Sequence, residues 1–229
     1  MRAILLAAGI GSRLRPLTLE TPKPLIQVKG EPIIERQIKA LNDVGITDIL
    51  IVTGYLNKKF EYLKEKYGVK ILNNDKYDKY NNIYTMYLVR DYLKNSYVIE
   101  GDIYINKNFL KNDIVNSSYF SARKYNYKNE WILRVNDNNK VVDIEVGSED
   151  GEYIMCGVSY WNEKDAEFIA NKIEVCIENY NFNDLFWDDM VKDNINSMNI
   201  NIEKINSDDI YEIDSLSDLK ALEERLSIK

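Results

Sequence analysis

The chain has 229 residues, 45% hydrophobic and 29% charged, enough to bury a core without disulfide or metal staples and unlike a disordered chain. A net charge of −7 demotes functions that grip nucleic-acid phosphates, which favour a basic surface. The absence of histidine removes histidine general bases, Ser-His and Cys-His nucleophile systems and histidine metal sites, and two cysteines are too few for a zinc site or a disulfide framework. Such cysteine usage fits a reducing cytoplasm.

Residues 3–10 are an apolar run, far short of the roughly 20 residues that span a bilayer. The run stops abruptly at Gly-Ser-Arg-Leu-Arg, so a buried first strand over 3–8 explains it better than a signal peptide. All four prolines, Pro16, Pro22, Pro24 and Pro32, follow within residues 9–32, which reads as a long shaped loop rather than a helix. A helix is expected over 33–44, with Ile34, Ile38 and Leu41 on one face, then a doubly buried strand over 48–53. A helix over 58–67, a strand over 69–72, a helix over 83–93 and a strand over 96–100 continue the alternation, which indicates βαβ units and a parallel sheet. Short strands over 119–124, 131–135, 141–146 and 153–161, broken by Asn, Asp and Gly turns, predict antiparallel or mixed additions. Helices over 163–179 and 184–194 follow, then strands over 200–205 and 210–213 and a capped helix from Ser215 or Ser217. No linker or internal repeat interrupts the chain. The expected fold class is a single Rossmann-like α/β domain over 1–229, a mixed, mostly parallel sheet flanked by helices with a small antiparallel extension. Its expected halves are residues 1–105 and 106–229, which the motifs below assign to nucleotide binding and acceptor binding.

The first strand runs into Gly9-Ile10-Gly11-Ser12-Arg13-Leu14-Arg15-Pro16. A glycine-rich turn at the C-terminal end of a first parallel strand is where α/β folds bind phosphates. The dinucleotide fingerprint fails because Leu14 stands where its third glycine belongs, and the P-loop Gly-Lys-Ser/Thr is absent. Arg13 and Lys23 add positive charge to a proline-stiffened loop, a combination suited to a triphosphate. Without histidine, catalysis there points to electrostatics and to Mg²⁺, which takes hard oxygen ligands. Glu100-Gly101-Asp102 ends one strand, and Tyr211-Glu212-Ile213-Asp214 ends another, with Glu212 and Asp214 on one face by alternation. Both aspartates could instead be helix N-caps, Asp214 ahead of Ser-Leu-Ser-Asp-Leu.

The run Leu5-Leu6-Ala7-Ala8-Gly9-Ile10-Gly11-Ser12-Arg13-Leu14-Arg15-Pro16-Leu17-Thr18, with Thr21-Pro22-Lys23-Pro24-Leu25, resembles the opening of the nucleotidyltransferases that include nucleotide-sugar pyrophosphorylases. The resemblance implies that the loop, including Leu6, Ala7, Ala8, Gly9, Gly11 and Ser12, wraps the NTP phosphates with Gly101. It further implies that Arg13 and Lys23 neutralise charge on the α-phosphate and pyrophosphate, and that Asp102 and Asp214 coordinate Mg²⁺. Near its full length, through stretches such as Tyr80-Asn81-Asn82-Ile83-Tyr84, Trp187-Asp188-Asp189-Met190 and Ile210-Tyr211-Glu212-Ile213-Asp214-Ser215, the chain is similar to the bacterial CTP:phosphocholine cytidylyltransferases. That resemblance implies CTP and phosphocholine as substrates, with Trp131, Phe186, Asp188 and Glu212 enclosing the choline headgroup. The family's aromatic at 186 is commonly Tyr. Aromatic faces attract quaternary ammonium ions, and nearby carboxylates add attraction that needs no hydrogen bond. Tyr80, Asn82 and Thr85 are candidates for the cytosine side, although Asn82 could equally cap its helix. The same chemistry on phosphoethanolamine or 2-aminoethylphosphonate, a nucleotide-sugar pyrophosphorylase, and a silent nucleotide-binding regulator are the competing readings. A homodimer is compatible with the sequence; nucleic acid and membrane insertion are not expected.

Overall fold

The computed structural model describes every residue except Asn126 and Lys229. In chain order the elements are β1 (Arg2–Ala7), β2 (Gln27–Val28), β3 (Glu31–Pro32), α1 (Ile33–Asp43), β4 (Ile49–Thr53), α2 (Tyr62–Tyr67) and β5 (Lys70–Asn73). Then come α3 (Asn82–Val89), β6 (Ser96–Glu100), β7 (Ile103–Ile105), β8 (Ser118–Arg123), β9 (Glu130–Val135), β10 (Val141–Gly147) and β11 (Tyr153–Trp161). The last five are α4 (Glu163–Asn179), α5 (Trp187–Asp193), β12 (Asn201–Lys204), β13 (Ile210–Glu212) and α6 (Leu216–Ser227), with a 3₁₀ turn at Ile195–Ser197 between α5 and β12.

The chain forms two compact units, each assembled from separate segments. The first takes Arg2–Lys79, Ile99–Asn112 and Asp208–Lys229. Within it β1 pairs parallel to β4, from Ala3 opposite Ile49 to Ala7 opposite Thr53, and β4 pairs parallel to β5. All five residues of β4 are buried, as a strand covered on both faces requires. Pro32 sets the start of α1, whose Ile33, Ile34, Ile38 and Leu41 are fully buried, each worth about 1.5–3 kcal/mol relative to exposure. A cluster of Leu14, Ile26, Val28, Ile33, Tyr104, Ile213 and Leu222 ties the proline loop to α1, β7 and α6.

The second unit takes Tyr80–Val98 and Asp113–Ser207. Its strands β8, β9, β10 and β11 pair antiparallel, while β12 pairs parallel to β8. Its core is aromatic: Trp161 meets Tyr119 and Trp187 edge-on, and Tyr97 packs on Phe120 and Tyr160.

Several expectations change in detail. The proline loop is not bare: it holds three 3₁₀ turns and the β2-β3 ribbon. The helix expected over 58–67 is a 3₁₀ turn (Asn57–Phe60) followed by α2. The helix over 83–93 ends at Val89 and tightens into a 3₁₀ turn. The helix expected from 184 begins only at Trp187, because residues 181–185 are spent on a turn and the Asp189 carboxylate accepts from the Phe186 N–H. Strand β7 follows Asp102 so closely that its three residues gave no separate period in the sequence.

Candidate active site

The loop after β1 is shaped around Lys23. Gly11 adopts φ 65°, and a Cβ placed on it would lie 2.9 Å from the Lys23 Cβ. Glycine there serves both the left-handed backbone and the close approach. Thr18 Oγ1 donates to Gly11 O at 2.9 Å, and buried Leu14 anchors the loop, leaving Arg13 and Arg15 exposed. Among the described residues, the N–H groups of Gly9, Ile10 and Gly11 meet no acceptor. Such a row of unspent donors is what an anion needs.

The carboxylates arrive on the β7-β13 ribbon. Gly101 N donates to Leu6 O at 2.9 Å. A Cβ on Gly101 would lie 2.7 Å from both Leu6 O and Pro24 Cγ, so only glycine lets the chain turn there. Asp102 follows, its carbonyl accepting from Ile213 N at 3.1 Å, and Ile103 pairs with Glu212. Helix α6 is capped by Ser215 with Asp218 in a capping box, and Asp102 leads into a strand, so neither aspartate is a helix N-cap.

Lys23 Nζ donates to Asp102 Oδ2 at 2.7 Å and to Asp214 Oδ1 at 2.6 Å, and Arg13 meets Asp214 Oδ2 at 2.8 Å. Burial works against the Lys23 ammonium, but the two carboxylates outweigh it and hold the pKa above the usual lysine value. Burial likewise works against the Asp214 carboxylate, and Lys23 and Arg13 overcome it, so its pKa falls below the usual range. One oxygen each from Asp102, Glu212 and Asp214 lie within 4.8 Å of one another. The sequence reading put Glu212 at the acceptor; here it groups with the two aspartates. Asp102 Oδ1 is buried without a hydrogen-bond partner. Three hard oxygen donors with one unmet lone-pair set are what Mg²⁺ would take, so the residues fit that ion.

In the second unit, the Trp131 and Phe186 rings meet edge-on at 6.2 Å, with Phe186 exposed. Lys192 Nζ sits 5.8 Å from the centre of the Trp131 ring, a cation already on an aromatic face. Asp188 is buried and accepts from Tyr119 OH at 2.7 Å. Its carboxyl is pushed up to about 7, chiefly by burial, opposed by the Tyr119 bond and assisted by Asp189. Asn81, not Asn82, caps α3; the Asn82 amide oxygen accepts from Trp187 N at 3.0 Å. Thr85 is buried in α3, and Tyr80 packs against Tyr84 and Phe182. Sequence reasoning missed Tyr119, which sits in a buried strand, Ser-Tyr-Phe-Ser-Ala-Arg, with no local signal. It also missed Lys192, which stands four residues after Asp188 and shares its helix face.

The family model for nucleotidyl transferases matches residues 2–222. Choline-phosphate cytidylyltransferases of Streptococcus pneumoniae and Haemophilus influenzae are 50% and 37% identical to this chain, each across 99% of it and 98% of their own length. The 2-aminoethylphosphonate cytidylyltransferase of Lancefieldella rimae is 35% identical, across 96% of this chain and 91% of its own. The solved CTP:phosphocholine cytidylyltransferase of Streptococcus pneumoniae superimposes with a TM-score of 0.95 at 49% identity, covering 98% of each chain. The fold class is thus the mixed, mostly parallel sheet flanked by helices, with small antiparallel sheets, that the sequence indicates. Among the described residues no helix is long and apolar enough to cross a membrane.

Proposed function

Since the chain belongs to the nucleotidyl transferase family, we propose that it transfers CMP from CTP to phosphocholine, giving CDP-choline and pyrophosphate. A phosphate oxygen of phosphocholine attacks the α-phosphorus in line, the bond to the β-phosphate breaks, and pyrophosphate leaves. The attacking phosphate is already ionised near pH 7, so no general base is needed, consistent with a chain without histidine. The glycine loop receives the triphosphate through the N–H groups of Gly9, Ile10 and Gly11. Arg13 and Lys23 place positive charge where the α-phosphate and the leaving group gain negative charge. Asp102, Glu212 and Asp214 are the oxygens that would hold Mg²⁺, which when bound neutralises charge on the reacting phosphates. Trp131 and Phe186 take the trimethylammonium headgroup through their ring faces, with Asp188 supplying negative charge once it ionises above about pH 7. Tyr80, Asn82 and Thr85 read the pyrimidine. The chain works as one nucleotidyltransferase domain over 1–229, and its two free cysteines, Cys156 and Cys176, suit a reducing cytoplasm.

The observation that carries this reading is Lys23 held between Asp102 and Asp214, at the mouth of a loop whose donors are unspent. Its test is pyrophosphate release from CTP or UTP with phosphocholine, phosphoethanolamine or 2-aminoethylphosphonate, with and without Mg²⁺. The fastest release is expected with CTP, phosphocholine and Mg²⁺ together. Faster release with 2-aminoethylphosphonate would reassign the acceptor, and none with any acceptor would leave a nucleotide-binding regulator.

A further inference from the structure

Gln37 lies on α1 and is wholly buried. Its amide nitrogen donates to Glu100 O at 2.8 Å and to Ile103 O at 2.7 Å, the carbonyls on either side of Gly101-Asp102. Both amide protons are therefore spent bracketing one two-residue turn. The amide oxygen has no hydrogen-bond partner, a cost that an apolar side chain of the same size would avoid. The helix does not need these bonds to seat itself, because Ile33, Ile34, Ile38 and Leu41 already bury its inner face. What the bonds constrain is the turn. The Ile213 N–H in turn holds the Asp102 carbonyl at 3.1 Å. The carbonyls of Glu100, Asp102 and Ile103 are thus all held, while the Asp102 side chain gives one oxygen to Lys23 and leaves the other buried and unmet.

We propose that Gln37 is a positioning residue, which fixes the Gly101-Asp102 turn so that the Asp102 carboxylate meets a divalent cation in one orientation; this rests on the reading of Asp102 as a metal ligand. Groups that orient a metal ligand without touching the metal commonly tune affinity 10–100-fold. Gln37 acts on the backbone carrying the ligand rather than on the carboxylate itself.

The test is titration of the full chain with Mn²⁺ alone, followed by electron paramagnetic resonance, for wild type, Asp102→Asn, Gln37→Met and Ile38→Val. Asp102→Asn should lose the site. Gln37→Met should weaken Mn²⁺ binding by about tenfold or more, whereas Ile38→Val, which thins the same helix's core without touching the turn, should stay within about twofold of wild type. A Gln37→Met protein with wild-type Mn²⁺ affinity, whatever its melting temperature, overturns the proposal while leaving Asp102 as a ligand. Unchanged binding in Asp102→Asn overturns the metal reading, and the role of Gln37 falls with it. Should Gln37→Met fail to fold, Gln37→Asn, which keeps the amide one methylene short of the turn, is titrated in its place and should weaken binding in the same way.

Discussion

Lys23 is the residue through which the site is organised: its ammonium joins the carboxylates from two distant stretches of chain, Asp102 and Asp214. Asp102→Asn should lower turnover by about 10²–10³-fold in a steady-state assay while leaving the circular dichroism spectrum intact; a near-normal rate would remove Asp102 from the reaction. Trp131→Ala should raise the KM for phosphocholine several-fold and leave that for CTP unchanged, since cation–π attraction is worth about 0.5–2 kcal/mol. Equal losses for both substrates would make Trp131 a packing residue. Asp188 makes a prediction about pH. Its folded-state carboxyl titrates at about 7, above the unfolded carboxyl at about 4. The native state therefore holds the extra proton between these values, and stability falls as pH rises from about 4 to about 7. Asp188→Asn should accordingly melt higher than wild type at pH 8 and lose that advantage at pH 4; the same difference at both pH values would contradict the assignment. At this scale the sequence showed the charged loop and both acidic strand ends, because Gly, Pro and acid clusters are local signals. Tyr119 and Gln37 were not legible, because their roles depend on partners tens of residues away in the chain.

At the scale of elements, two short pieces of backbone carry the site, the loop after β1 and the β7-β13 ribbon. Both depend on glycines with no room for a side chain. Gly101→Ala would drive a methyl into the Leu6 carbonyl and Pro24, costing on the order of 1–3 kcal/mol and displacing Asp102. A thermal melt should show a lower transition and the rate should fall with it. Unchanged stability and activity would mean that the turn relaxes freely. The periodic elements were read well, α4 and β11 to the residue, because each has an uninterrupted pattern and clear flanking turns. The errors fall where pattern is short or capping decides. The three-residue β7 exists because β13 pairs with it, and α5 starts late because Asp189 closes its cap onto Phe186.

At the scale of the whole molecule, the absence of histidine already excludes histidine bases, histidine-activated nucleophiles and histidine metal sites, and the acidic balance demotes nucleic-acid binding. The division into two compact units was not visible in the sequence, because each unit is built from segments that leave and return without a linker between them. Removal of divalent cations by a chelator should abolish pyrophosphate release, and added Mg²⁺ should restore it; activity that survives chelation would point to Lys23 and Arg13 acting alone. The most direct test is a crystal grown with CTP and Mn²⁺ and measured for anomalous scattering. The account expects a Mn²⁺ peak within coordinating distance of Asp102 and Asp214 and of a nucleotide phosphate oxygen. A bound nucleotide with no such peak, or with Asp102 and Asp214 turned away from its phosphates, would contradict it.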